Sequence, residues 1–262
     1  MEKFTMAEPY SASLTTSISE NDKRNKIRKY FARPKLKGPI ILIVLGLLIL
    51  LSQSAIGLIF LIAGGVWLFL EFKPLIDAPG DQTIDAWLID DIQQLKKRSL
   101  ERLNIDKSEL IRDSIVIRGP ILWQINGIPS DELAWKKGKD ERIRFSINSV
   151  TVVHLTDHKL SSYQCDYNFI RGVPLNEQDD EFHYRDVVAV STREASTNYT
   201  LPNNELMKHA QLFKLAVSSG DSIEVIVNST ELVKFTGGTM METGLDNAVK
   251  ALRKVVSEKK ID

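Results

Sequence analysis

The chain has 262 residues, with 34 Lys/Arg balanced by 34 Asp/Glu, and its single cysteine excludes an intrachain disulfide and fits a reducing compartment. The charge is unevenly spread: residues 1–37 carry nine Lys/Arg against four Asp/Glu, residues 38–70 carry none, and residues 71–262 carry 25 against 30. The mild acidity of that last part favours neither nucleic acid nor a broad anionic surface as a partner.

Residues 1–20, MEKFTMAEPYSASLTTSISE, are rich in Ser and Thr and lack periodicity, which predicts a disordered tail. A basic cluster follows: Lys23, Arg24, Lys26, Arg28, Lys29, Arg33, Lys35 and Lys37. The run 38–70 then reads GPIILIVLGLLILLSQSAIGLIFLIAGGVWLFL. One straight helix of this length would be about 50 Å long, against a bilayer hydrocarbon core of about 30 Å. The polar break at Ser52, Gln53 and Ser54 predicts a transmembrane hairpin, with helices over 38–51 and 55–72. The run is too long, and begins too far into the chain, for a cleaved signal segment. By the positive-inside rule the basic cluster puts the N-terminus in the cytoplasm, and two spans return the remainder there. The sequons at Asn198 and Asn228 are then on the wrong side for glycosylation. Tyr30, Phe31, Trp67, Phe69 and Phe72 are expected at the membrane interface, where amphipathic rings favour the headgroup layer. Gly57 and Gly64 share one helix face and allow close packing within the hairpin or between copies of it. Pro74 and Pro79-Gly80 predict a short connector.

Residues 81–104 have a helical period, with Ile84, Trp87, Leu88, Ile92, Leu95 and Leu103 near one face. A helix packed on the following domain is preferred to a self-association helix. The period then changes to two. Ser114–Arg118 and Ile121–Asn126 are expected as short strands around Gly119-Pro120. Further strands are expected at 143–147 leading into 150–155, at 163–169, and at 182–190. The clearest hairpin joins 213–217 to 223–227 across Ser219-Gly220-Asp221. About seven strands result. A final amphipathic helix from Leu245 carries a stripe of Leu245, Ala248, Val249, Leu252, Val255 and Val256, with Thr243 and Asp246 as candidate caps.

The segments SVTVVHLTDHKLSSYQCDY, FHYRDVVAVST and SSGDSIEVIV, followed by that helix, resemble the pleckstrin-homology-like superfold over roughly residues 108–260. They also look like bacterial membrane proteins that join a short transmembrane hairpin to such a cytoplasmic domain. The resemblance implies an α+β fold: a bent antiparallel sheet or partly open barrel closed by a C-terminal helix, serving as a binding platform for lipid headgroups or proteins. The division expected is 1–37 tail and basic segment, 38–72 hairpin, 73–107 connector and helix, and 108–262 domain.

Little chemistry is visible. His154-x-x-Asp157-His158 has metal-ligand residue types but flanks a strand end and a turn, with no third ligand. Cys165 reads as a small core residue. Asp179-Asp180-Glu181 reads as a solvated turn, and Thr236-Gly237-Gly238-Thr239 lacks the Lys of a phosphate-binding loop. No catalytic residue, metal site or cofactor is expected, and the chain is not expected to be an enzyme. The candidate binding surface is Lys136, Lys137, Lys139, Arg142 and Arg144. The expected function is a membrane-anchored binding or scaffold module at a bacterial inner membrane. Its expected partners are the lipid bilayer, a membrane-associated protein and a second copy through the hairpin. The alternative is an oligomerising membrane protein that forms or regulates a pore or transport complex, although an all-apolar hairpin offers no polar lining for a pore.

Overall fold

A computed structural model describes residues 18–52, 54–240 and 245–260. Most of the expected tail, Gln53 of the polar break and the candidate cap Thr243 lie outside the described residues. Among the described residues four helices come first: α1 (Glu20–Phe31), α2 (Lys37–Leu51), α3 (Ile56–Ile76) and α4 (Asp81–Arg102).

Helix α1 falls within the segment expected as tail and basic juxtamembrane segment. Glu20 and Asp22 stand in its first turn and Arg28 and Lys29 in its last, so its charges complement the helix dipole. Lys23, Ile27, Tyr30 and Phe31 fall at helical spacing and are buried.

Helices α2 and α3 pack against each other. A Cβ built on Gly57 would lie 2.6 Å from the Gly46 carbonyl oxygen, and one on Gly64 would lie 2.7 Å from Ile43 Cγ1. The glycines therefore let two backbones approach where any side chain would hold them apart. Helix α3 has 21 residues, about 31 Å at the standard rise, and is long and apolar enough to cross a membrane. Helix α2 has 15 residues, about 22 Å, and falls short of that length. The expectation of two spans is thus narrowed to one helix of spanning length with a shorter apolar helix packed on it. Helix α3 also runs on to Ile76, so Pro74 lies within its last turn and not in a connector.

Helix α4 packs on the domain, as its stripe predicts. Ile84, Leu88, Ile92 and Leu95 share a core with Ile27, Tyr30 and Phe31 of α1, with Val150, Val152, Tyr163 and Tyr167 of the sheet, and with Phe169 in the turn that follows it.

The domain contains β1 (Ile115–Ile121), β2 (Trp135–Lys137), β3 (Ile143–Phe145), β4 (Ile147–Leu155), β5 (Lys159–Asn168), β6 (Val173–His183), β7 (Val187–Thr200), β8 (Leu206–Val217) and β9 (Ser222–Ser229). Helices α5 (Thr230–Thr236) and α6 (Leu245–Lys259) follow. The class is α+β. The strands form three antiparallel sheets, ordered β1-β4-β5-β6, β2-β3 and β7-β8-β9, with no closed barrel among the described residues. Strands β1 and β9 nonetheless cross so closely that a Cβ on Gly119 would lie 1.8 Å from the Ile226 carbonyl oxygen. Helix α6 buries all six stripe residues against both larger sheets. Asp246 stands in its first turn and is not the cap.

Among the described residues nine strands replace the about seven expected. Strand β1 runs through Gly119-Pro120 without a break; as an edge strand it tolerates the missing amide. The acidic run 179–181 is part of β6 and not a turn, because Arg98 and Arg102 of α4 bond Glu177 and Asp179 and Lys159 bonds Glu181.

Candidate functional site

The β2–β3 hairpin carries all five residues of the expected binding surface. Its register sets Lys136 opposite Arg144 and Lys137 opposite Ile143. Glu141 takes a left-handed conformation in the turn, with φ of 62°.

This hairpin leans on the start of α4. The Lys139 backbone amide donates to Asp81 Oδ2 at 2.8 Å, and the Tyr30 hydroxyl donates to Asp81 Oδ1 at 2.6 Å. Burial raises the Asp81 carboxyl pKa, but these hydrogen bonds outweigh it and hold it below its usual range. Asp81 follows the end of α3 by five residues, so the hairpin lies close to where the chain leaves the apolar helices.

The five cations separate into different roles. Arg144 is 3 % exposed and its guanidinium bonds Asp85 at 2.7 Å and Asp140 at 2.9 Å. The Arg144 hydrogen bonds hold Asp140 far below the normal carboxylate pKa. Arg144 is therefore an internal tie between α4 and the hairpin, which corrects its place in a contact surface. Lys136 lies over the Tyr30 ring at 4.1 Å, and its burial lowers its pKa. Lys137 pairs with Glu141 at 2.8 Å. Lys139 and Arg142 are exposed, and among the described residues no carboxylate pairs with either side chain. The surface that remains available is thus Lys137, Lys139 and Arg142.

The five aromatic residues expected at the membrane interface also divide. Trp67, Phe69 and Phe72 on α3 are exposed. The Trp67 indole donates to Glu71 at 3.4 Å, and its ring closes over Gly38. Tyr30 and Phe31 are enclosed by protein at 1 % and 4 % exposure, so their headgroup role is corrected. Phe31 packs edge-on against Phe169, and Tyr30 caps Asp81.

The basic cluster before α2 is partly consumed in the same way. Lys23 and Arg24 converge on the fully buried carboxylate of Asp91. Arg33 stacks over Trp135 with its guanidinium carbon 3.4 Å from the ring centroid, and it donates to the Trp135 carbonyl. The sequence offered no sign of these pairings, because the partners are separated by 67 residues or more.

His154 is fully buried on β4. Ser99 donates to the Lys96 carbonyl at 2.8 Å, so its oxygen is left to accept from His154 Nε2 at 2.7 Å. Ser114 then donates to Nδ1 at 2.8 Å. Both ring nitrogens are thereby satisfied by hydroxyls, and burial pushes the imidazole pKa down to about 4. His158, by contrast, is exposed on the turn. Cys165 lies in the core under α4, where burial pushes its thiol up to about 12, far from a reactive thiolate.

Comparison with protein-family models, with curated proteins and with solved structures returns no match.

Proposed function

We propose that this chain is a membrane-anchored binding module. In this reading α2 and α3 insert in a bacterial inner membrane as a hairpin, and the α+β domain and both termini are on the cytoplasmic side. The observation that carries the reading is the distribution of exposed apolar side chains. Ile41, Leu48, Leu51, Ile59, Ile62, Phe69 and Ile76 are all more than half exposed, and only 11 % of the apolar window in α3 is buried. An apolar surface this continuous is stable in lipid or against another apolar surface and not in water. The short α2 can span through local bilayer thinning, at a modest cost per ångström of mismatch.

The domain is read as pleckstrin-homology-like. A four-stranded antiparallel sheet, a three-stranded meander and a C-terminal helix packed on both support that reading. Its service is recognition at the membrane, with Lys137, Lys139 and Arg142 as the contact surface for a membrane protein or the anionic bilayer surface. A tether that holds these charges near the bilayer raises their effective concentration there, so weak contacts suffice.

Alkaline carbonate extraction of membranes holding the full chain tests the anchor, which predicts retention in the pellet. Photo-crosslinkers at Lys139 and Arg142 test the surface, and should capture lipid or a membrane protein where one at Lys234 does not. Release by carbonate overturns the anchor, and equal capture at all three positions overturns the surface.

A further inference from the structure

A groove opens where the chain enters the apolar helices. It lies between the end of α1, the segment joining α1 to α2, the loop before β2, and α5. Its volume is about 520 Å³, within the usual range for small-molecule sites. Trp135 and Phe235 form an apolar wall, with ring centroids 4.7 Å apart. Lys234, the residue before Phe235, is not part of the lining.

The segment between the helices explains the charge of the groove. Helix α1 stops at Phe31, Ala32 is extended with ψ of 137°, and Pro34 disfavours helix at Arg33. Residues two apart in an extended segment point to one side, and Arg33 and Lys35 both line the groove. Arg28, in the last turn of α1, is the third cation, and Asp131 is the one acidic residue in the lining. Arg28 and Lys35 are exposed, and among the described residues neither side chain has a hydrogen bond or an ion pair. Arg33 lies over Trp135 at 3.4 Å, and its one hydrogen bond among the described residues goes to the Trp135 carbonyl at 3.1 Å. The stack fixes the guanidinium plane and leaves its other N–H groups for a ligand.

Lys35 stands two residues before α2, so these cations and the aromatic wall lie at the foot of an apolar helix. That combination suits an anion at a membrane interface. We propose that the groove binds the headgroup of an anionic phospholipid, its phosphate on Arg33 and Lys35 with Arg28 beside them, and its glycerol backbone along Trp135 and Phe235. A guanidinium fork matches phosphate oxygens. The groove is separate from the β2–β3 hairpin surface, since Lys137, Lys139 and Arg142 are outside its lining. The inference rests on the anchor reading, which supplies the leaflet. A soluble phosphate ester carries the same chemistry, and the test separates the two sources.

The test is native mass spectrometry of the full chain in detergent, with phosphatidylglycerol or phosphatidylcholine added at equal concentration. One phosphatidylglycerol per chain should bind at least about fivefold tighter than phosphatidylcholine. Glycerol phosphate, the headgroup without acyl chains, should not displace it at equal concentration. Arg28→Gln with Lys35→Gln should weaken phosphatidylglycerol about tenfold or more, and Lys35→Gln alone about threefold. Because neither side chain bonds another described residue, both variants should melt with the parent. Lys250→Gln with Lys260→Gln removes two exposed cations at α6 and should bind as the parent does. Equal binding of the two lipids, unchanged binding in the groove variants, an equal loss in the α6 variant, or displacement by glycerol phosphate each overturns the proposal. Release of the chain by carbonate overturns the anchor reading, whereas a chain that resists carbonate yet does not distinguish the two lipids overturns this inference alone.

Discussion

Lys23 on α1 and Asp91 on α4 meet at 2.6 Å, and the carboxylate is fully excluded from solvent. Arg24 adds two further hydrogen bonds to the same group, at 2.6 and 3.0 Å. The basic segment before the apolar helices is in this way clamped to the domain, and its first two cations are unavailable to lipid. Removing one member of a buried ion cluster strands the others, at a cost of about 3–5 kcal/mol. Asp91→Asn should lower the melting temperature of the full chain and make residues 18–31 sensitive to protease. An unchanged melt with α1 still protected would contradict the clamp.

The buried His154 makes stability depend on pH. Its folded pKa of about 4 is below the ~6.5 of a free imidazole. The unfolded chain therefore takes up a proton between those values that the folded chain does not. Its contribution is fully present above pH 6.5 and is lost as pH falls toward 4, by at most about 3 kcal/mol. Asp166, whose pKa is raised by burial, acts in the opposite sense and reduces the net slope. Denaturant melts at pH 7 and pH 5 should differ for the parent and differ less for His154→Gln. Equal slopes in both proteins would remove His154 from the account.

Helix α6 is required for the two larger sheets to hold together. Leu252 is fully buried among them, and Leu252→Ala should cost about 2–5 kcal/mol. A chain stopped at residue 240 loses six buried apolar residues, each worth roughly 1.5–3 kcal/mol, which exceeds the net stability of many domains. It should show no cooperative unfolding; a melt like that of the parent would refute this.

Close packing of the apolar helices rests on the glycines. Gly57→Leu must push the backbones apart, since its Cβ meets the Gly46 carbonyl oxygen at 2.6 Å, whereas Gly65 has nothing within 4 Å. In detergent, Gly57→Leu should destabilise the full chain by roughly 1–3 kcal/mol and Gly65→Ala should not. Equal melts for both variants would show that the pair does not depend on this contact.

The elements legible in the sequence are those whose apolar residues repeat at one period without interruption. Helix α6 appeared with all six of its buried residues, the apolar helices appeared to within a few residues, and the β8–β9 hairpin was marked by its Ser-Gly-Asp turn. Helix α1 was hidden because only Ile27, Tyr30 and Phe31 carry its buried face, amid a run of charges that reads as solvated. Strands β6 and β7 were shortened for a related reason: their outer faces are largely exposed, and their acidic, Ser and Thr residues break the alternation. The candidate surface was legible as a cluster of cations but not by role. What separates Arg144 from Arg142 is Asp85, 59 residues away in the chain.

The central claim is that α2 and α3 insert together and return the chain to the side it started from. Reporter fusions at residue 20 and at residue 262 of the full chain, read in intact cells, test it most directly. The account predicts a cytoplasmic signal from both. A cytoplasmic signal at residue 20 with an external one at residue 262 would mean that α3 crosses alone, and the domain would then face the opposite compartment.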